Sequence, residues 1–343
     1  SQIAIAKLWF KAVKKVTMDD SRRSRANVDP ITRINIFDFD GTLFASPQPN
    51  HELWEDPLFG YLKADTMIFK GWYQHRKSLS FDESIRRRRW KGWWNNEMVD
   101  LVRESVKHPN SLTVLLTGRG YSEFHHIITD MVERKDLKFD VMGLKPDQNT
   151  IKWNLCYKSS IIQKVGDMKY EELIRNETSL VKVDMMENSE HLEEQSNRSN
   201  SSRKKLKSIN TRVTTKEFKL MFISELLEHH PSVKSIRLWD DREHHVKCFQ
   251  CLFDDLKSRG IVDEAIAKMV FLPIRYFDPY QEYLIVQAMI DDHNKEVERF
   301  SKAQANESSR KFSLGKIQLV PREYYYNRYV YTKFAIQLEG VNF

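Results

Sequence analysis

Two aspartates two residues apart close a short apolar run in Ile34-Asn35-Ile36-Phe37-Asp38-Phe39-Asp40-Gly41-Thr42-Leu43-Phe44. The run reads as a buried β-strand. Side chains alternate along a strand, so Asp38 and Asp40 share a face and leave the sheet end together, where open α/β sheets place their chemistry. Gly41 lets the chain turn at φ > 0 and approach a ligand closely. Two carboxylates this close repel unless a cation lies between them, and hard oxygens in a loop suit Mg²⁺, which keeps waters and joins substrate phosphates. An ordinary Asx-rich turn after a core strand would use the same residue types.

Two further strand ends carry polar groups. Ser111–Thr117 is apolar and runs into Thr117-Gly118-Arg119-Gly120, ahead of a helix expected from about Ser122 to Lys135. A Thr-Gly turn at a helix N-terminus offers a hydroxyl and free N–H groups to a phosphate. Val233–Trp239 runs into Asp240-Asp241-Arg242. A second carboxylate pair at a strand end would complete an oxygen cage for Mg²⁺, although acids are also ordinary at helix N-termini. Between these ends, residues 214–230 read as an amphipathic helix with Phe218, Met221, Phe222, Leu226 and Leu227 inward, capped by Thr214 or Thr215 and stopped by Pro231. Lys216 and Lys219 lie near its start.

The elements that must position these groups belong to a chain of 343 residues, 41% hydrophobic, enough for one large domain or two modest ones. A net charge of +7 and a pI near 9.0 suit a polyanionic partner. No run of 18 apolar residues is present to span a membrane. Cys156, Cys248 and Cys251 make no disulfide framework and point to a reducing compartment, cytoplasm or nucleus. The Cys248-x-x-Cys251 pair falls inside an expected helix and reads as core packing.

Residues 1–30 form a basic arm with Lys7, Lys11, Lys14 and Lys15 among apolar residues; an organelle transit segment, with a mitochondrial destination, is the alternative to a surface or frayed arm. The main domain is expected over 31–302, with insertions at 45–110 and 169–212, and a linker with docking strands over 303–343. The first insertion holds Arg86-Arg87-Arg88-Arg89-Trp90-Lys91-Gly92-Trp93-Trp94, then a helix from Asn95 to Val106. Arginines such as Arg87 and Arg88 bind phosphate bidentately, and indoles such as Trp93 and Trp94 stack on bases. The alternative is a solvated charge run with tryptophans packed beneath it. Strands are expected near 139–142 and 269–274, a short element near 154–162, helices over 246–256 and 278–302, and one or two strands or a docking arm in the Tyr-rich tail. The polar, Ser/Asn-rich 169–212 stretch reads as a flexible insertion.

The string DFDGTLF resembles the first motif of the haloacid dehalogenase (HAD) superfamily, mostly phosphatases that work through an aspartyl-phosphate. The Thr117-Gly118-Arg119 turn, Lys219 and Asp240-Asp241 resemble its remaining motifs, in order. The resemblance implies a Rossmannoid α/β fold, with a mostly parallel central sheet flanked by helices. It implies Asp38 as nucleophile, Asp40 as general acid/base and Thr42 as support for the turn. Thr117 would orient the phosphoryl group. Lys219, with Lys216 as alternate, would neutralise charge, and Arg119 would meet substrate phosphate. Mg²⁺ would be held by Asp38, the Asp40 backbone carbonyl and Asp241, with Asp240 as the alternate. Leu43–Asn50, Lys91–Asn95 and Leu115–Arg119 are similar to one branch, the HAD domain of Swiss Army Knife RNA-repair proteins, and Trp-Asp-Asp-Arg is similar to the metal motif of polynucleotide 3′-phosphatases. The expected activity is phosphate removal from RNA ends. A small-metabolite phosphatase and a non-catalytic RNA-binding protein are the alternatives.

Overall fold

The computed structural model describes residues 30–63, 70–80, 83–145, 214–304, 315–326 and 329–338. The basic arm, the expected element at 154–162, Cys156 and the 169–212 insertion lie outside the described residues.

Five parallel strands form the central sheet: β1 (Arg33–Phe37), β2 (Ser111–Gly120), β3 (Val141–Lys145), β4 (Ser235–Asp240) and β5 (Glu264–Met269), in the spatial order β3-β2-β1-β4-β5. Strand β1 is central and nearly fully buried, which is why it reads as a continuous apolar run. Its register with both neighbours sets the site: Phe37 pairs Leu115 on β2 and Trp239 on β4. Asp38, Thr117 and Asp240 therefore leave the sheet at one edge.

Right-handed crossovers put the helices on two faces. Helices α4 (Asn96–Lys107) and α5 (Tyr121–Arg134) cover one face, where Phe37, Leu115, Met98, Val102, Phe124, Ile128 and Met131 pack together. The other face carries α6 (Thr215–His229) and α7 (Glu243–Ser258), with Phe218, Phe222, Phe249 and Phe253 against Ile34, Ile36, Val114 and Leu238. Helix α6 starts with a reciprocal capping box between Thr214 and Glu217, which fixes its first turn just ahead of Lys219. Helix α4 is pinned to β1 through Asn35, whose side-chain amide donates to Ser105 at 2.8 Å and Ser111 at 3.0 Å.

Between β1 and α4 run α1 (Asp56–Lys63), a 3₁₀ turn at Trp72–Gln74, α2 (Lys77–Ser80) and α3 (Glu83–Arg87). These pieces are short and pack on the sheet domain rather than forming a cap of their own. Trp54, Leu58, Leu62 and Trp72 meet the apolar stripe Ile285, Val286, Met289, Ile290 of the long helix α8 (Pro279–Gln304). An antiparallel hairpin, β6 (Ile317–Tyr326) and β7 (Tyr329–Leu338), docks on this third cluster through Ile317, Leu319, Phe334 and Ile336.

One strand is displaced from its expected place. The fifth strand is Glu264–Met269, and 270–278 are extended but unpaired in the sheet. The apolar run Met269–Ile274 drew the expectation, but β4 ends at Asp240, which pairs Met269 and whose carbonyl accepts the Val270 N–H at 3.0 Å, so no ladder remains after Val270. Phe271 and Ile274 stay at the surface, 83% and 58% exposed, whereas Val270 is buried in the core and Phe277 packs against the third cluster.

Candidate active site

The first motif's strand continues for one more rung, since the Asp38 N–H donates to the Trp239 carbonyl at 2.9 Å. The chain then turns tightly: Leu43 N–H returns to the Asp38 carbonyl and Phe44 N–H to Phe39. Gly41 sits at φ +70, where a Cβ would collide with the Asp241 carboxylate. That close approach brings the motif I turn and the end of β4 together.

Lys219 is fully buried and binds two carboxylates, Asp38 Oδ1 at 2.9 Å and Asp240 Oδ2 at 2.7 Å. Helix α6 delivers it from the start of its second turn. Lys216, also buried, has its ammonium 3.5 Å from His244 Nε2. Asp240 is thereby occupied: its other oxygen accepts the Arg242 N–H at 2.9 Å. Asp241 differs. Its Oδ1 is buried and has no hydrogen-bond partner. Asp38, Asp240 and Asp241 each offer an oxygen within 4.8 Å of the others. Four carboxylates converge here, counting Asp40, and an orphaned oxygen lies among them. That donor set is the one a hard divalent cation takes.

The electrostatics agree. Burial pushes Asp38 well above the usual carboxylate range; Lys219 pulls it back, while Asp240, Asp241 and Asp40 push it further up. Burial, then the Asp240 charge, pushes Asp241 up to about 6. Against its own burial, Asp240 is held well below the usual range by Lys219 and His245. A cation beside Asp38 and Asp241 would relieve the repulsion that raises them.

Asp40 is held by a different set. Arg119 grips it bidentately, with Nη2 2.7 Å and Nε 2.9 Å from Oδ1 and Nε 3.0 Å from Oδ2. Ser46 Oγ donates to Oδ1 at 2.5 Å, and Thr117 Oγ1 lies 3.4 Å from Oδ2. Burial alone would raise Asp40, but the Arg119 charge and hydrogen bonds keep it below its ordinary value. This corrects the expectation for Arg119. Its guanidinium is 1% exposed, donates to Ser78 Oγ at 2.9 Å and lies over the Phe124 ring, so it has no fork left for substrate phosphate. It positions Asp40 instead.

Thr117 is enclosed, its Oγ1 accepting the Arg119 N–H at 3.2 Å. Gly118 packs so close to Thr215 that a side chain would not fit, and its carbonyl accepts from the Gln74 amide at 3.0 Å. Thr42 is fully buried under the turn, with its carbonyl accepting from Asn95 at 3.1 Å; it supports the turn and has no surface for substrate.

The tryptophans match the second of the two readings, packing beneath the charge run, and not the base-stacking one. Trp94 and Trp90 are buried in the main core, Trp94 edge-on to Phe44. Trp93 is half-buried, with Phe44, Phe277 and the Arg275 guanidinium around its ring. They brace the motif I turn: Ala45 N–H donates to the Trp93 carbonyl at 2.7 Å. Neither Trp94 nor Trp93 offers a base an open face. Arg87 and Arg88 are exposed, with Arg87 Nε 4.0 Å from Glu83, and Arg86 pairs with Asp130 and Glu83.

Sequence reasoning missed Ser46, Tyr73, Gln74, Ser78 and Arg242 at the site. The first four come from the loop, 3₁₀ turn and short helix between β1 and α4, whose path only the fold decides. Burial, then the Asp40 charge, pushes the Tyr73 phenol up to about 12, so it stays a neutral donor beside the site. Arg242 is exposed at the mouth, and its immediate position after Asp240-Asp241 was a signal in plain view. Desolvation opposes its charge, but Asp38, Asp241, Asp40 and Asp240 together strengthen it.

A five-stranded parallel sheet with three acid- or hydroxyl-bearing strand ends and a buried lysine between them defines a HAD-like α/β protein. More narrowly, a profile described as HAD domain family 1 in Swiss Army Knife RNA repair proteins matches residues 46–295, and the chain belongs to that family. The match begins just after the Asp38/Asp40 turn and takes in Thr117, Lys219, Asp240 and Asp241. The chain is 24% identical over 290 residues to a Saccharomyces cerevisiae protein described as uncharacterized protein YMR265C, covering 83% of this chain and 48% of that one. It thus spans about half the length of this curated relative. No solved structure matches. Family membership places the chain in a superfamily of hydrolases, chiefly phosphatases. Among the described residues no helix is long and apolar enough to cross a membrane.

Proposed function

We propose that the chain is a Mg²⁺-dependent phosphatase that forms an aspartyl-phosphate on Asp38 and acts on RNA termini. The observation that carries the chemistry is Lys219 clamped between Asp38 and Asp240, beside an Asp241 oxygen that is buried and unpartnered. Mg²⁺ would be held by Asp38, Asp241 and the Asp40 backbone carbonyl, and when bound it neutralises phosphate charge. Asp240 serves as the anchor for Lys219.

Asp38 attacks phosphorus, its carboxylate forming the new P–O bond as the bond to the leaving oxygen breaks. Lys219 fixes that carboxylate and offsets the charge that gathers there. The leaving oxygen takes a proton from Asp40. In the second half, Asp40 removes a proton from water as that water attacks the phosphorus, which frees phosphate and restores Asp38. Arg119, Ser46 and Thr117 hold Asp40 over the reacting atoms. They also keep it anionic in the resting protein, which suits the second half; the first half requires it to gain a proton on substrate binding.

RNA as substrate is supported by the family description and the net charge of +7. The covering of Trp90, Trp93 and Trp94 favours the second reading, a small-metabolite phosphatase, because it removes that stacking surface.

The test is turnover of p-nitrophenyl phosphate and of 3′- and 5′-phosphorylated RNA with Mg²⁺, in the unsubstituted chain and in Asp38→Asn. Asp38→Asn is expected to keep its fold, lose turnover and lose a hydroxylamine-sensitive phosphoenzyme trapped by acid. Retained turnover in Asp38→Asn would rule out the covalent route. Activity on p-nitrophenyl phosphate without any on RNA would favour the metabolite reading.

A further inference from the structure

The hairpin β6–β7 carries an array that the chemistry of the site does not use. Ten residue pairs oppose one another across it, from Ile317↔Leu338 to Tyr326↔Tyr329. Directly opposed residues share a face. One face turns Ile317, Leu319, Phe334 and Ile336 into the third cluster. The opposite face presents Arg322 against Lys333, then Tyr324 against Tyr331, with Tyr329 beyond.

Two features of that face are unusual for a sheet that only packs. Like charges placed directly opposite are destabilising, yet Arg322 faces Lys333. Glu55 meets Arg322 at 3.4 Å and accepts the Tyr324 hydroxyl, and Lys333 donates to the His51 carbonyl at 3.2 Å. Beside this pair, the Tyr324 and Tyr331 rings stack at 5.4 Å and 17°. Tyr329 is 77% and Tyr331 44% exposed, in contrast to the enclosed tryptophans. On the reverse face, Tyr325 is 76% exposed and donates to Glu323 at 3.0 Å.

We propose that this outer face of the hairpin binds single-stranded RNA, with bases stacking on Tyr329 and Tyr331 and backbone phosphate between Arg322 and Lys333. Flat aromatic faces beside cations are the standard means of holding a single strand without reading its sequence. The cations supply the phosphate contact and the tyrosines the stacking surface that the Arg86–Trp94 stretch lacks. The hairpin is fastened to the loop that leaves the motif I turn: Trp54 bridges Phe334, and Glu55 N–H donates to the Phe334 carbonyl at 3.0 Å. A strand bound there is held on the layer that also carries Ser46 to Asp40. The inference rests on the reading of RNA as substrate and assigns the surface that holds it.

The experiment uses the full chain and a fluorescein-labelled single-stranded 12-nucleotide RNA with hydroxyl groups at both ends, which leaves the catalytic site without a terminal phosphate. Anisotropy is read across a salt series. The unsubstituted chain is expected to bind, with affinity falling as salt rises. Lys333→Gln should lower the slope of log K against log salt by about 0.7. Tyr329→Ser should weaken binding roughly 5- to 150-fold, the effect of one lost stack. Tyr329 is solvent-facing and Lys333 half-buried, and circular dichroism melts check that the variants fold; Tyr331→Ser gives a second stacking variant. Absence of binding by the unsubstituted chain overturns the proposal, as does unchanged binding in all three variants. Tyr329-dependent self-association in sedimentation, without RNA binding, would assign the face to a second copy instead. Turnover of p-nitrophenyl phosphate by the unsubstituted chain is measured separately, so a failed phosphatase reading and a failed hairpin surface give different results.

Discussion

Asp240 and Asp241 are neighbours in the chain and opposites in the site. Asp240 is fully buried and saturated by Lys219 and the Arg242 N–H, whereas Asp241 keeps an oxygen unpartnered. The difference yields a stability prediction. Burial and Asp240 raise Asp241 from the ordinary 3.8 to about 6, so the metal-free folded state takes up its proton more readily than the unfolded chain does. The cost of ionising it is absent below the ordinary value, grows across the interval to about 6, and is complete above that. Asp241→Asn is therefore expected to stabilise the metal-free protein at pH 7.5, on the order of 1–3 kcal/mol, and to leave it nearly unchanged at pH 3.5. Mg²⁺ should raise the melting temperature of the unsubstituted chain and not of the variant. Melts at both pH values, with and without Mg²⁺, check this; an Asn variant less stable at pH 7.5 without metal would remove Asp241 from the role of strained ligand.

At the scale of elements, the site depends on turns that bring strand ends closer than side chains allow. Gly41 takes φ +70 and has no room for a Cβ against Asp241. Gly41→Ala must strain the backbone and also displace the Asp241 carboxylate, at a cost on the order of 1–3 kcal/mol for the backbone alone. Turnover should fall by more than tenfold and the Mg²⁺ concentration for half-maximal activity should rise, because a ligand moves. Wild-type kinetics in Gly41→Ala would show that the turn and β4 are not coupled. The segment Tyr73–Ser80 acts in the same way on β2. Gln74 bonds Gly118 and Gly120, and Ser78 bonds Arg119, so an insertion between the first two motifs is part of the wall of the candidate site.

The whole molecule is joined through its third cluster. Trp54, Trp72, helix α8 and the hairpin bury one another, and the Trp54 indole and the Asn50 N–H both donate to Glu282, itself fully buried, at 2.6 Å. Residues far apart in sequence thus hold the loop that leaves the motif I turn. Phe334 touches both Trp54 and Tyr283. Phe334→Ala is expected to cost about 3 kcal/mol, less where the half-buried ring is solvated. It should also loosen residues 46–55, seen as faster amide exchange at Trp54 and Glu55 in hydrogen-exchange mass spectrometry. Unchanged exchange there would mean that the hairpin is an appendage rather than a brace.

The sequence alone determined the strand ends. An apolar run ending in Asp38-x-Asp40-Gly41, another ending in Thr117-Gly118 and a third ending in Asp240-Asp241 are local patterns, so the α/β class and the gathering of acids at one sheet edge were legible in it; Lys219 was set ahead of Lys216 only by the resemblance to the superfamily's motif order. What the tertiary structure decided is which polar group meets which. Arg119 looks free in sequence, but the fold closes it on Asp40 and Ser78. Asp240 and Asp241 are chemically identical, yet only one faces Lys219. Trp94 and Tyr329 are both aromatic residues beside cations, but one lies beneath the motif I turn and the other on the outside of a hairpin. Each of these depends on contacts across dozens to hundreds of residues, and burial, which sets both the pKa of a carboxylate and the availability of a ring, is a property of those contacts and not of the local chain.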